Sequence, residues 1–402
     1  MSDASSTPPP QPTVQTAFAA YSGPPLDTVR SIVASQFQVR DAFLDPNGIP
    51  TILVGSEPPK EKFKIVLDQL ATHGVLAALR ASADAMVLKV FQKPQARKSR
   101  RRLNLGLFLA TVATVSFSGY VLWTGWLIGD SSLQAQFDDL LAPGANPFIE
   151  AAAFTIGLLA IIGLHEFGHK AAANHHKMDS TLPFFIPGPP PFGTFGALIS
   201  LRSPPRNRDH LFDLGISGPA VGFVVTIVIT VLSIIWGVSL SQPRLDQLSV
   251  LIANCGAPCN SPSTWPNQPL ILGLICGASS SCSNPNFVLN QQLSFAARIG
   301  VLLTFLNIVP AWQLDGGHIS RAVFGPSGHR VFSYFGLALL LIARYWPFAI
   351  LVLVMMSLSG RGFAGVEPLD DVSPLSNSRR IVYLLGIAML ILTFAYSPVR
   401  FF

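Results

Sequence analysis

Residues 151–169 read AAAFTIGLLAIIGLHEFGH, an apolar run that closes on His165, Glu166 and His169. Ala151 to Leu164 contains no ionisable residue, so the stretch reads as a helix buried in a bilayer. Ionisable side chains at that depth cost on the order of several kcal/mol unless something pairs with them. On a helix, positions i and i+4 share a face, so the two imidazoles can reach one zinc ion. Glu166 follows the first of them and is placed to take a proton from water activated there. The plain alternative, a polar cap at a helix end, leaves that cost unmet.

Working outward, the whole chain has the composition of a membrane protein. Of 402 residues, 50% are hydrophobic and 12% charged, where soluble domains carry about 25% charge. Apolar runs at 103–129, 148–173, 211–240 and 293–313 read as four spans. Val331–Leu358, interrupted by Arg344 and Pro347, reads as one kinked helix or two short segments, and Ile381–Tyr396 as the last crossing. The expected fold is therefore polytopic and α-helical, with about six transmembrane helices. Lys93, Arg97, Lys98, Arg100, Arg101 and Arg102 crowd against the first run. A basic cluster in that position orients a membrane protein and does not point to nucleic acid. The expectation is a cell-membrane protein with its N-terminus cytoplasmic.

The remaining segments fall into place around this frame. Residues 1–21 are rich in Ser, Pro and Gln, read as a disordered tail, and show no cleavable signal peptide. Residues 22–92 alternate helical and strand periodicity in the order α-β-β-α-β-β, with Asp45-Pro46-Asn47-Gly48 as a turn. They predict a small cytoplasmic α+β domain to which no chemistry is assigned. Residues 93–102 are a basic juxtamembrane linker and 103–402 the membrane-embedded domain. Cys255, Cys259, Cys276 and Cys282 all fall in one loop on the outer side. Two disulfides of open connectivity are expected there. The rival, a zinc site made of these four, has poor ligand spacing.

A zinc ion held by two histidines needs a third protein ligand and one open position. Residues 307–318 read NIVPAWQLDGGH, and hydropathy brings Asp315, closing the fourth span, to the depth of His165 and His169. His318 is the competing ligand, while His175 and His176 read as solvated residues past the helix end. Asn307 lies eight residues before Asp315, on roughly the same helical face. It either hydrogen-bonds substrate backbone or ties two helices together. Residues Thr194–Leu201, which include Gly196, are β-like and suited to receive an extended peptide by strand addition.

An H-E-x-x-H on one membrane helix with N-x-x-P-x-x-x-L-D-G on a later one resembles the site-2 protease family of intramembrane zinc proteases. The matching residues are His165, Glu166 and His169, then Asn307, Pro310, Leu314, Asp315 and Gly316. Gly196-Ala197 and Ser217-Gly218-Pro219 also resemble that family. The resemblance implies one Zn²⁺ per chain, held by His165, His169 and Asp315, with Glu166 as the base. It further implies membrane-spanning protein substrates, cut within or near their transmembrane segments by regulated intramembrane proteolysis. The small N-terminal domain, and the lack of a PDZ-like stretch, match the branch shared by archaea, cyanobacteria and plastids. A zinc transporter or a non-proteolytic scaffold is the alternative. The chain shows no internal repeat of the kind transporters carry, and transport has no need of a Glu beside the first ligand.

Overall fold

The computed structural model describes residues 21–56, 59–82, 85–93, 101–124, 139–140, 144–255, 269–359 and 365–395. Two compact units are present, Met1–Gln95 and Ala96–Phe402. The tail, most of the basic linker, and Cys259 lie outside the described residues.

The first unit holds α1 (Leu26–Ala34), β1 (Val39–Leu44), β2 (Pro50–Val54), α2 (Lys60–Thr72), β3 (Val75–Ala81) and β4 (Met86–Gln92), the α+β order read from periodicity. The strands form an antiparallel sheet in the order β1-β2-β4-β3. Val75, Ala77 and Leu79 of β3 and Leu88 and Val90 of β4 are fully buried, as period-two alternation on a half-covered sheet requires. The Asp45 turn is built as its residues dictate. Asp45 Oδ1 accepts from the backbone N–H of Asn47 at 2.9 Å and of Ile49 at 3.0 Å. Gly48 supplies the φ of 74° that closes the turn.

The second unit is a helical assembly. α3 (Arg101–Thr124), α4 (Pro147–His175) and α5 (Arg208–Ile235) are three helices long and apolar enough to cross a membrane. A two-stranded hairpin, β5 (Phe184–Pro187) with β6 (Thr194–Leu198), joins α4 to α5. Beyond α5 come β7 (Val238–Ser239), α6 (Gln242–Cys255), α7 (Leu270–Gly277), β8 (Phe287–Val288), α8 (Gln291–Ile308), α9 (Asp315–Ile342), α10 (Trp346–Leu358) and α11 (Asn377–Thr393). α4 sits among α3, α5 and α8, burying Phe154, Leu158 and Ile161 against Ile229, Leu293 and Ala296.

Six long crossings are not found among the described residues. α8, α10 and α11 have 18, 13 and 17 residues. α9 has 28, but Gly325 (φ 69°, ψ −168°) followed by Pro326 breaks it into two helices. The ambiguous stretch 331–358 forms two segments. α9 ends at Ile342, Arg344 turns the chain with φ 67°, and Pro347 opens α10. Residues 365–376 then return to the N-terminal end of α5. Leu369 N–H donates to Pro205 O at 2.8 Å and Asp370 N–H to Arg206 O at 2.9 Å. Residues 365–376, whose side was open on hydropathy alone, thus lie at the end that holds Arg206 and Arg208.

Cys276 and Cys282 form a disulfide; the side chains of Cys255 and Cys259 lie outside the described residues. A bridged pair is not alkylated until it is reduced. Peptide mass spectrometry of unfolded protein is expected to find Cys276 and Cys282 unmodified by iodoacetamide, and modified after dithiothreitol. Modification of both without reductant would remove this bridge.

Candidate metal centre

α4 buries His165 and Glu166 and carries His169 one turn further along. The two Nε2 atoms stand 3.2 Å apart. Asp315 enters from the first position of α9, and its Oδ2 lies 3.3 Å from each of those nitrogens. Three donors 3.2 to 3.3 Å apart outline one face of a tetrahedron. Zinc bonds of about 2.0–2.1 Å place neighbouring tetrahedral donors about 3.3–3.4 Å apart. The donor set therefore fits zinc in both chemistry and spacing.

Glu166 also approaches the two imidazoles, its nearest carboxylate oxygen and the ring nitrogens lying within 4.8 Å of one another. Successive residues of a helix point about 100° apart, so Glu166 leaves α4 in a different direction from His165. Asp315 completes the face, and Glu166 borders it. A backbone hydrogen bond from Ile199, just beyond β6, holds the Glu166 carboxylate. His169 Nδ1 lies 2.8 Å from Leu214 O. With the proton on Nδ1, that contact donates to the carbonyl and leaves Nε2 free to ligate. Among the described residues His165 Nδ1 has no partner.

Asp315 reaches this point by a route that hydropathy did not reveal. α8 stops at Ile308, and Pro310 has no N–H to continue it. Trp312 adopts φ 45°, a left-handed conformation costly for a bulky residue. Leu314 N–H then donates to Ala311 O at 3.1 Å, and α9 starts at Asp315. Gly316 and Gly317 allow that first turn to lie on the carbonyls of Ile308 and Trp312, where any Cβ would collide. Asp315 thus opens α9 and does not close the preceding span. Asn307 and Asp315 are on different helices, so a shared helical face does not relate them. Asn307 is half-buried near the end of α8.

The other candidates are placed as follows. His318 Nδ1 lies 2.9 Å from Leu314 O in its own turn, outside the donor triangle. His176 is not solvated: its Nε2 lies 2.8 Å from Asp213 Oδ2 and its ring stacks on His210, because α5 begins beside the end of α4. His175 is exposed. Gly196 lies in β6 with φ 102° and open space where a Cβ would stand.

Three glycines of α5 had no role assigned from sequence. A Cβ on Gly218 would overlap the His169 ring, one on Gly222 would lie 3.0 Å from His165 Nδ1, and one on Gly215 would lie 2.8 Å from Asp315 O. Their spacing of three and four puts them on one helical face, the small-residue pattern that lets membrane helices approach closely. That spacing was the available signal.

Fold and site define a helical membrane protein with a three-donor metal centre bordered by a carboxylate. Residues 153–343 match the model of Peptidase family M50, the family that includes the site-2 proteases. The chain is 28% identical over 255 residues to "Probable zinc metalloprotease EGY1, chloroplastic" of Oryza sativa subsp. japonica, covering 61% of this chain and 41% of the relative. The protein of the same name from Arabidopsis thaliana is 27% identical over 261 residues, covering 63% and 44%. "Probable zinc metalloprotease EGY2, chloroplastic" of Oryza sativa subsp. indica is 30% identical over 167 residues, covering 41% and 28%. The chain spans less than half the length of these curated relatives. No solved structure matches it.

Because Gly218 has no room for a side chain, Gly218→Ala is expected to displace His169 and remove most bound metal, read by elemental analysis of purified protein. Gly273→Ala, where a Cβ meets nothing within 4 Å, is the control and is expected to keep it. Equal metal in both variants would separate Gly218 from the centre.

Proposed function

We propose that the protein is an intramembrane zinc metalloprotease, hydrolysing peptide bonds within or near the membrane-spanning segments of other proteins. The observation that carries this reading is the convergence of His165, His169 and Asp315 on one tetrahedral face, with Glu166 at its border. The zinc metalloprotease names of its relatives support the same metal and chemistry. His165, His169 and Asp315 hold the zinc ion, one per chain, leaving a fourth position open. When bound, zinc supplies Lewis-acid activation of water and of the scissile carbonyl.

Glu166 is the general base. Its carboxylate takes the proton of the attacking water and returns it to the leaving amine nitrogen. The Ile199 N–H fixes the orientation of that carboxylate. The substrate has to be extended, because a helical carbonyl is already hydrogen-bonded. β6 belongs to a two-stranded sheet and so has one edge unpaired in that sheet, and a substrate segment adds to it as a strand. Phe195 and Leu198 on β6 are 73% and 62% exposed, which suits the apolar side chains of a membrane segment. Gly196 keeps the strand free of a side chain between them, and Asn307 offers an amide to substrate backbone from the end of α8.

The domain lies in a membrane with α3, α4 and α5 as crossings and α8, α9 and α11 completing about six. Its basic ends, including Arg206 and Arg208, face the compartment from which the chain inserts. Residues 22–92 form a separate soluble domain, followed by the basic linker 93–102. Substrates cut in this way belong to regulated intramembrane proteolysis.

The test separates base from ligand. Purified wild type, Glu166→Gln and Asp315→Ala are incubated in detergent with a panel of single-pass membrane proteins. Wild type is expected to cut at least one. Glu166→Gln is expected to keep its zinc and lose about 10²- to 10⁴-fold in rate, the usual contribution of general-base catalysis. Asp315→Ala is expected to lose most zinc together with activity. Near wild-type cleavage by Glu166→Gln would overturn the mechanism, and full zinc in Asp315→Ala would move the third ligand elsewhere.

A further inference from the structure

A second polar assembly lies along α9 from the metal centre. Arg321 is 1% exposed. Its Nη1 donates to Asp371 Oδ1 at 2.8 Å and its Nη2 to Asp371 Oδ2 at 2.6 Å, a two-pronged pairing of guanidinium with carboxylate. Asp371 is also held by Arg208, whose Nε donates to Oδ1 at 3.3 Å and whose Nη2 donates to the Asp371 carbonyl at 2.7 Å.

The segment that presents Asp371 is itself tied down. Beyond the two backbone bonds that join it to Pro205 and Arg206, Asp370 Oδ1 accepts from Val372 N–H at 3.0 Å and Ser373 N–H at 2.9 Å. Ser376 N–H donates to Asp209 Oδ1 at 2.9 Å. The carboxylate is therefore a fixed feature of the N-terminal end of α5, the helix whose glycines receive His165 and His169.

Arg321 stands six residues after Asp315, about 9 Å along the helix axis. The helical piece that carries both is short. It starts at Asp315 and is interrupted at Gly325, and a side-chain bond between Ser320 Oγ and His329 Nδ1 at 2.9 Å crosses the break. Ile319 and Ala322 pack its far end into the apolar core, and the ion pair adds a charged tie at the same end. A buried guanidinium whose partner is removed becomes an uncompensated charge, so Arg321 stays wherever Asp371 is.

We propose that Arg321 and Asp371 are positioning residues for the metal centre. Their ion pair sets the rotation and height of the first helical piece of α9, and through it where Asp315 Oδ2 meets the two imidazoles. The inference rests on Asp315 being a ligand. The acidic strap 368–376 is then a brace for the third ligand, reaching it without touching the metal.

Zinc-loaded full-length protein is the material for the test, with two readouts besides activity. These are the rate of zinc release to an added chelator and the visible absorption of the cobalt-substituted protein, which reports ligand geometry. Asp371→Asn is expected to release zinc about tenfold faster, the lower end of the loss seen when groups supporting metal ligands are removed, and to alter the cobalt bands. Arg321→Lys, keeping the charge but not the fork, is expected to fall between. Asp213→Asn removes a different ion pair, with Arg379, and is expected to leave both readouts at wild-type values even if its melting temperature falls.

Unchanged release and cobalt bands in folded Asp371→Asn would overturn the proposal, as would an equal change in Asp213→Asn. If Asp371→Asn does not fold, Asp371→Glu, which shifts the carboxylate by one methylene, is judged on the same criteria. Full zinc in Asp315→Ala would instead show that the ligand assignment failed, a result separable from any of these.

Discussion

The structure depends on bringing three ionisable side chains to one point inside an apolar assembly. His165 and His169 solve half of this locally, since one helix presents both. The third group has to arrive on another helix, and the space between α4 and α9 is occupied by α5. Residues three and four apart on α5 therefore carry no side chain where the imidazoles and the Asp315 turn come closest. Lipid gives apolar helices no solvent-driven reason to associate, so close backbone approach and polar contacts have to supply the attraction. Gly215, Gly218 and Gly222 serve that packing and make room for the donors in the same stroke.

Charge does at the N-terminal end of α5 what packing does around the donors. Arg379 of α11 pairs with Asp213 through Nη2 at 2.5 Å and with Asp209 through Nη1 at 3.4 Å, and His176 at the end of α4 shares Asp213. Arg208 and Arg321 share Asp371. Acidic and basic groups from α4, α5, α9, α11 and the strap are thus interleaved at one end. Exposed pairs of this kind add little to stability, but buried ones fix geometry, because breaking one strands a charge. The buried pair is the one on the helical piece that bears Asp315, where geometry matters most.

What the sequence made legible follows from how local each signal is. H-E-x-x-H declares itself by helical period alone, and the α-β-β-α-β-β order of the first unit by its alternating patterns. Asp315 was reached through an expected membrane depth, a one-dimensional quantity, so its nearness to the histidines was legible while its helix was not. The turn at Pro310 and Trp312 ends α8 and lets α9 begin at Asp315. The glycine face of α5 was visible as spacing but had no meaning until its neighbours were known. Asp371 reads as one more loop acid, since its partners Arg208 and Arg321 lie 163 and 50 residues away. Counting apolar runs gave about six crossings, whereas three helices among the described residues have the length and composition to span. A run count does not see the break at Gly325, whereas the interruption at Arg344, where the chain turns, was visible as a charge within an apolar run.

The hairpin between α4 and α5 connects the centre to anything that approaches it. At its tip, Thr114 Oγ1 of α3 donates to Gly193 O at 2.7 Å, and a Cβ on Gly193 would strike the α3 backbone. Within it, Thr194 Oγ1 donates to Ile186 O at 2.8 Å and accepts from Gly196 N–H at 3.0 Å, locking the bulge where the strands change register. At its far end the Ile199 N–H reaches Glu166. A strand fastened to α3 at one end and to the proposed base at the other has little freedom to slide. Side chains on a strand alternate every residue, so a slip of one position would present the opposite face. With β6 fixed against Glu166, its edge is a fixed template relative to the proposed base for a peptide added in the proposed way. Under the proposed strand addition, the choice of scissile bond becomes a matter of which substrate residues pack on Phe195 and Leu198.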